Sequence, residues 1–115
     1  MPPEPRLATH MVVGALVRQL SAQGDFATVV HKGDPIAGSL LLLTRCRGQN
    51  PALFEQFPGL NAAPIWQQIP IQDIDIEQQI TEYLDRRRAR DPDIWVLELD
   101  VAFAERLSGL LGPRG

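Results

Sequence analysis

Residues 26–45, FATVVHKGDPIAGSLLLLTR, hold two apolar runs separated by Gly33, Asp34, Pro35 and Gly38. Short apolar runs split by turn formers read as the two strands of a β-hairpin. Asp is a favourable first turn residue, and Pro35 presets φ at the next position. Leu40, Leu41, Leu42 and Leu43 are apolar at successive positions. Successive strand side chains point to opposite faces, so this strand needs cover on both. An antiparallel sheet is therefore expected at the centre of the fold.

The rest of the chain supplies candidate covering layers. Met11, Val12, Ala15, Leu16 and Leu20 recur at helical spacing, in a helix opening at Thr9 or His10 and stopping at Gly24. Phe26–His31 is the first strand, and the second lies within residues 36–45. Gly48, Gln49, Asn50 and Pro51 form a turn before a third strand at 52–57. A loop opens at Pro58, and Trp66 anchors a fourth strand at 65–69 that Pro70 ends. Asp73 or Asp75 is expected to cap a second helix running to about Arg88. Ile76, Ile80, Tyr83 and Leu84 make its apolar stripe. Glu77 in its first turn and Arg86, Arg87 and Arg88 in its last complement the helix dipole. Asp91, Pro92 and Asp93 stop it. Residues 94–99 form a strand with Trp95, Leu97 and Leu99 on one side and Ile94, Val96 and Glu98 on the other. Asp100 is expected to cap a short last helix on which Phe103, Leu107 and Leu110 align. The fold class is α+β: a single domain over 7–111, with a helix, an antiparallel three- or four-stranded sheet, a helix, a strand and a short C-terminal helix. Residues 1–6 and 112–115 are expected to be flexible tails.

Charge and cysteine content narrow the function classes. The net charge of -3 gives no global attraction to nucleic acid or to anionic membranes. Cys46 is the single cysteine, so no internal disulfide and no Cys-rich metal site can be built. An unpaired thiol suits a reducing compartment. The N-terminal stretch carries prolines and Glu4 where a secretion signal would carry basic residues and an apolar core. No apolar run approaches the ~20 residues that span a bilayer. No lipidation signal is readable. A cytoplasmic location is expected.

Two motifs carry a resemblance. The first is Lys32, Gly33, Asp34, Ala37 and Gly38; the second is Asp91, Pro92, Asp93, Ile94, Trp95 and Val96. Together they resemble a small, mainly alphaproteobacterial family of unknown function. That family has a [K/R]-G-D-x-x-A-G turn between two strands. It also has a D-P-D-[I/L]-W-V segment after a helix that ends in basic residues. The resemblance runs from about residue 7 to residue 107, and residues 54–72 look individual to this chain. It implies a compact α+β domain and no known activity, cofactor or partner. The order of elements is also partly similar to acetyl-coenzyme A-dependent acyltransferases. Those enzymes bind pyrophosphate at a glycine-rich turn opening a helix. Here Asp73, Asp75 and Glu77 stand in that place and repel a phosphate, so acetyl transfer is rejected.

No residue set spells out an active site. Lys32, Gly33, Asp34 and Gly38 form a candidate functional loop. The favoured reading is that the Asp34 carboxylate caps backbone N–H groups in an Asx-turn. The loop is no P-loop, because Ser39 opens a strand and not a helix. His10 and His31, with Asp25, Asp34 and Cys46, make no readable ligand set, so neither metal nor cofactor is expected. Arg47 beside Cys46 would favour a thiolate, but without a placed base the cysteine reads as core. Arg86, Arg87, Arg88 and Arg90 form a candidate anion or partner patch. Asp85, Asp91 and Asp93 offset it, and nucleic acid is not an expected partner. Trp66, Tyr83 and Trp95 read as core.

The resulting expectation is a small non-catalytic cytosolic protein acting through contacts with a protein partner. The alternative is a small-molecule-binding domain, or degenerate enzyme, with a pocket near Asp34 and Trp95. A homodimer is expected, because two strands are apolar on both faces and one face lacks an evident cover.

Overall fold

Leu40, Leu41, Leu42 and Leu43 lie in the centre of a five-stranded sheet, each at most 3% exposed. The structure, a computed structural model, describes residues 7–58 and 64–112. Along the chain come α1 (Thr9–Ala22), β1 (Phe26–His31), β2 (Leu40–Cys46), β3 (Gln49–Pro58), β4 (Pro64–Ile69), α2 (Glu77–Arg90), β5 (Trp95–Val101) and α3 (Ala104–Leu111). The expected tail at 1–6, residues 113–115 of the tail expected at 112–115, and the body of the loop expected after Pro58 lie outside the described residues, while Gly112 is the C-cap of α3.

The sheet order is β1-β5-β2-β3-β4. The α+β domain holds, but the sheet is mixed, and the expected β1–β2 hairpin is not formed. β5 lies between the two strands, antiparallel to β1 and parallel to β2. The reason is burial on both faces. β2 and β5 are the strands whose two faces are both apolar, so they take the centre. β1 has a mostly exposed pattern and takes the edge. Residues 32–39 are too long for a tight hairpin turn and cross the start of β5 instead. The parallel β2–β5 pair is made possible by the long connection through β3, β4 and α2.

Alternation then builds two cores. Leu40, Leu42, Trp95, Leu97 and Leu99 face Val13, Leu16 and Leu20 of α1 and Leu111 of α3. Leu41, Leu43, Leu53, Ile94 and Val96 face Ile80 and Leu84 of α2. Each such leucine contributes about 2 kcal/mol on burial. The layers are thus α1 and α3 on one side of the sheet and α2 on the other. The uncovered sheet face on which the homodimer expectation rested does not exist, because α1 and α2 take opposite sides.

Several boundaries differ from the sequence pattern. The β2–β3 turn is Arg47-Gly48, one residue earlier than expected, with Cys46 paired to Gln49. Both turn residues have positive φ, 52° and 74°, as a two-residue type I′ turn requires. Asn50, also at positive φ, and Pro51 fall where the β2–β3 register shifts, a place that tolerates a proline without an N–H. Neither Asp73 nor Asp75 caps α2; its N-cap is Ile76, with no side-chain cap. Asp73 sits at φ 55° in the preceding turn, where its carbonyl accepts the Ile76 N–H. Asp100 does not cap α3, whose N-cap is Phe103. It lies in β5 and accepts the Gly48 N–H at 3.1 Å. Ile76, Met11 and Phe103 are exposed and belong to no core stripe. Among the described residues no helix is long and apolar enough to cross a membrane.

Candidate functional site

The two sequence motifs meet in space. Lys32, Gly33, Asp34 and Gly38 lie in the connection that crosses the start of β5. The Asp34 N–H donates to the Asp93 carbonyl at 2.9 Å, and the Trp95 indole N–H donates to the Asp34 carbonyl at 2.7 Å. The Trp95 N–H donates to the Ser39 carbonyl at 2.7 Å. A Cβ on Gly33 or Gly38 would stand 2.0 Å or 2.4 Å from the Asp93 carbonyl oxygen. These glycines therefore permit backbone-to-backbone contact. The Asp34 carboxylate accepts the N–H groups of Ile36 and Ala37 at 3.1 and 2.8 Å, the Asx-turn expected from the sequence. Thr9 at the start of α1 ties down the same loop, its hydroxyl donating to the Gly38 carbonyl at 2.7 Å. His31 bonds the Ile94 carbonyl through Nδ1 at 2.7 Å. The neighbourhood of Asp34 and Trp95 is filled with backbone. Two open hollows among the described residues, of about 160 and about 290 Å³, lie elsewhere, the first beside Asp25 and Arg47 and the second beside Arg45 and Asn50.

The arginine patch is divided by helical geometry. Arg87 turns to the sheet and holds Glu55 with two bonds at 2.9 and 3.0 Å, while the Tyr83 hydroxyl accepts from it at 2.8 Å. The hydrogen bonds to Glu55 push the Arg87 pKa further up, so its charge is fixed. Arg86, Arg88 and Arg90 remain exposed. Arg86 also lies over the Tyr83 ring, 5.9 Å from its centre.

A second ion pair, invisible in the sequence, joins the start of β1 to α3. The buried Asp25 carboxylate accepts from Arg106 Nη1 at 2.8 and 2.9 Å and from the Ala102 N–H at 3.1 Å. The Arg106 hydrogen bond holds its pKa below the ordinary value, against the opposing effect of burial. Arg106 and Arg47 both lie over Phe103, at 4.9 and 5.8 Å from the ring centre. Cys46 is half-buried against the α1-side core, its thiol near the Ala102 carbonyl.

What the sequence pattern missed is the place of β1, whose bounds it read correctly, at the edge of the sheet. As an inner member of a hairpin it would be paired on its inner side and covered. Placed at the sheet edge, it leaves Phe26 72% exposed, Val30 49% and Val29 43%, with Thr28 exposed between them. α1 packs over one face of β1, and only Ala27 joins the α1-side core. No β1 side chain belongs to the core under α2. The outer row of backbone N–H and C=O groups is unpaired in the sheet. Sheet edges are commonly blunted by proline, charge or inward-pointing polar groups. β4, the opposite edge, begins at Pro64 and is followed by Pro70, and among its residues 65–69 the exposed ones are Gln67 and Gln68. β1 has neither proline nor charged residue from Phe26 to Val30. The readable signal was this uncharged, β-branched composition.

Comparison with known proteins places this architecture. A family model described as "Protein of unknown function (DUF1491)" matches residues 7–108. A crystal structure of a DUF1491 family protein from Caulobacter crescentus CB15 is 34% identical, with a TM-score of 0.71, covering 84% of this chain and 89% of that one. An NMR structure of a DUF1491 family protein from the same organism is 34% identical, with a TM-score of 0.67, covering 83% and 86%. The solution structure of protein Atu0922 from A. tumefaciens is 27% identical, with a TM-score of 0.73, covering 96% and 99%. No curated protein matches the chain.

Proposed function

The chain belongs to the DUF1491 family, proteins of unknown function, and we propose that it is a small non-catalytic cytoplasmic protein that receives an extended protein segment on β1. The observation that carries this reading is an edge that neither proline nor charge blunts from Phe26 to Val30, with Phe26, Thr28, Val29 and Val30 exposed. Adding a strand satisfies the unpaired backbone groups and covers these side chains at once. The motifs around Asp34 and Trp95 support the same reading indirectly. The Asp34 carboxylate and carbonyl and the Trp95 indole N–H are committed to joining parts of the backbone, which fits a role in positioning β1 rather than a substrate. The free, half-buried Cys46 thiol suits the reducing cytoplasm. Arg86, Arg88 and Arg90 are a secondary contact surface for an acidic partner.

The test is a photo-crosslinking amino acid placed at Phe26, or at Gln67 on the opposite edge, in cells of an alphaproteobacterium such as Caulobacter crescentus. The expected result is a discrete protein adduct from position 26 and none from position 67. Equal or absent labelling at both positions overturns the reading.

A further inference from the structure

We propose that the segment received by β1 is β1 of a second copy, so that two domains form one ten-stranded sheet across a two-fold axis beside Thr28. The inference rests on the strand-receiving reading of β1 and adds the identity of the occupant. A two-fold axis perpendicular to the sheet keeps each face of one copy continuous with the same face of the other. It also sets the same short segment of each copy against the other, with only the residue on the axis facing its own duplicate, so like charges within the segment would be brought together. From Phe26 to Val30 the strand carries no charge.

The antiparallel register centred on Thr28 uses the exposed side chains best. Thr28 then lies opposite the partner's Thr28, a favourable cross-strand pair. Phe26, the most exposed large apolar side chain of the strand, lies opposite the partner's Val30. Ala27 lies opposite the partner's Val29. By symmetry each of these contacts occurs twice. Shifting the axis to Ala27 would set Phe26 against the partner's Thr28 and leave Val30 without an apolar opposite. The β1–β5 register shifts between Val29 and His31, which ends the regular edge and keeps the pairing short. An interface of this length falls below the usual ~1,200 Å² of stable complexes, so association in the micromolar range or weaker is expected.

Sedimentation equilibrium over about 5 to 500 μM tests the inference on the full chain. The wild type should move from 12.8 kDa toward twice that mass as concentration rises. Thr28→Lys should stay at 12.8 kDa, with an unchanged circular dichroism spectrum and melting temperature. Gln67→Lys should behave as the wild type. If Thr28→Lys fails to fold, Thr28→Cys decides: it should oxidise to a covalent dimer well ahead of Gln67→Cys, because residues facing each other across such an axis lie within disulfide reach. A wild-type mass constant at 12.8 kDa, association that survives Thr28→Lys, or equal oxidation of the two cysteine variants overturns the inference. If position 26 crosslinks to a different protein while the chain stays monomeric, the strand-receiving reading stands and the second copy falls.

Discussion

The Trp95 indole N–H donates to the Asp34 carbonyl at 2.7 Å, across sixty-one positions of sequence. This bond joins the K-G-D-x-x-A-G turn to the D-P-D-I-W-V segment, and it explains why both are needed. The first motif must pass over the start of β5, and the second is that start. Gly33 and Gly38 admit the Asp93 carbonyl, Asp34 folds the turn through its own carboxylate, and Trp95 fastens the turn from below.

Replacing Gly33 or Gly38 by Ala should therefore destabilise the domain by about 3 kcal/mol, the upper range for overpacking. The new methyl would press on Asp93 backbone, which cannot rotate away as a flexible side chain would. Gly109→Ala is the control, since its Cβ meets nothing within 4 Å. Urea denaturation of the three variants checks this; equal midpoints would show that the crossover yields freely.

Ile80→Ala should cost about 2–5 kcal/mol, the range for large-to-small changes in a core. Ile80 is 3% exposed among Leu41, Leu43, Leu53 and Val96. Ile76→Ala, one turn earlier on the expected stripe, should change stability by only a few tenths of a kcal/mol, because Ile76 is 51% exposed. Thermal melts of the pair decide whether burial begins inside the first turn of α2, at Ile80, and not at its N-cap, Ile76.

The core was legible from periodicity because each buried strand carries its own evidence. Leu40–Leu43 announced a central strand, and the alternation of residues 94–99 announced another. Strand order was not legible. A turn-rich segment between Val30 and Leu40 looks the same whether the strands pair directly or receive β5 between them. Only long-range packing of Gly33 and Gly38 on Asp93 distinguishes the two. The exposed edge followed from that order, so the uncharged, β-branched composition of residues 26–30 could be read but not its place at the edge. The Asp25–Arg106 pair was unreadable for a related reason: its partners are eighty-one residues apart and neither lies in a patterned run.

Random-sequence duplex or single-stranded nucleic acid should bind weakly at physiological salt, in the range above about 10 μM. Arg87 is committed to Glu55, and Asp85, Asp91 and Asp93 lie close in sequence to the exposed Arg86, Arg88 and Arg90. Fluorescence anisotropy with labelled oligonucleotides measures this. Sub-micromolar binding lost on Arg86→Ala and Arg90→Ala would assign the patch to nucleic acid instead.

Acid should unlock the junction between β1 and α3. Asp25 has its folded pKa held below its ordinary 3.8 by the Arg106 hydrogen bond, with the Ala102 N–H adding to it. A depressed folded pKa means that the native state binds the proton less readily than the unfolded chain. The stabilisation is then fully present above about pH 4 and is lost as pH falls through the folded value. Glu77 is shifted the same way by Arg45, but its side chain is 66% exposed and solvent screens the pair. Asp25 should therefore dominate the comparison. Asp25→Asn should be less stable than the wild type at pH 7, and the gap should narrow as pH is lowered from about 4 to about 2.5. Urea unfolding of the two proteins across that interval measures the gap. A difference that stays constant to the lowest pH would mean that the carboxylate contributes through shape alone and not through its charge.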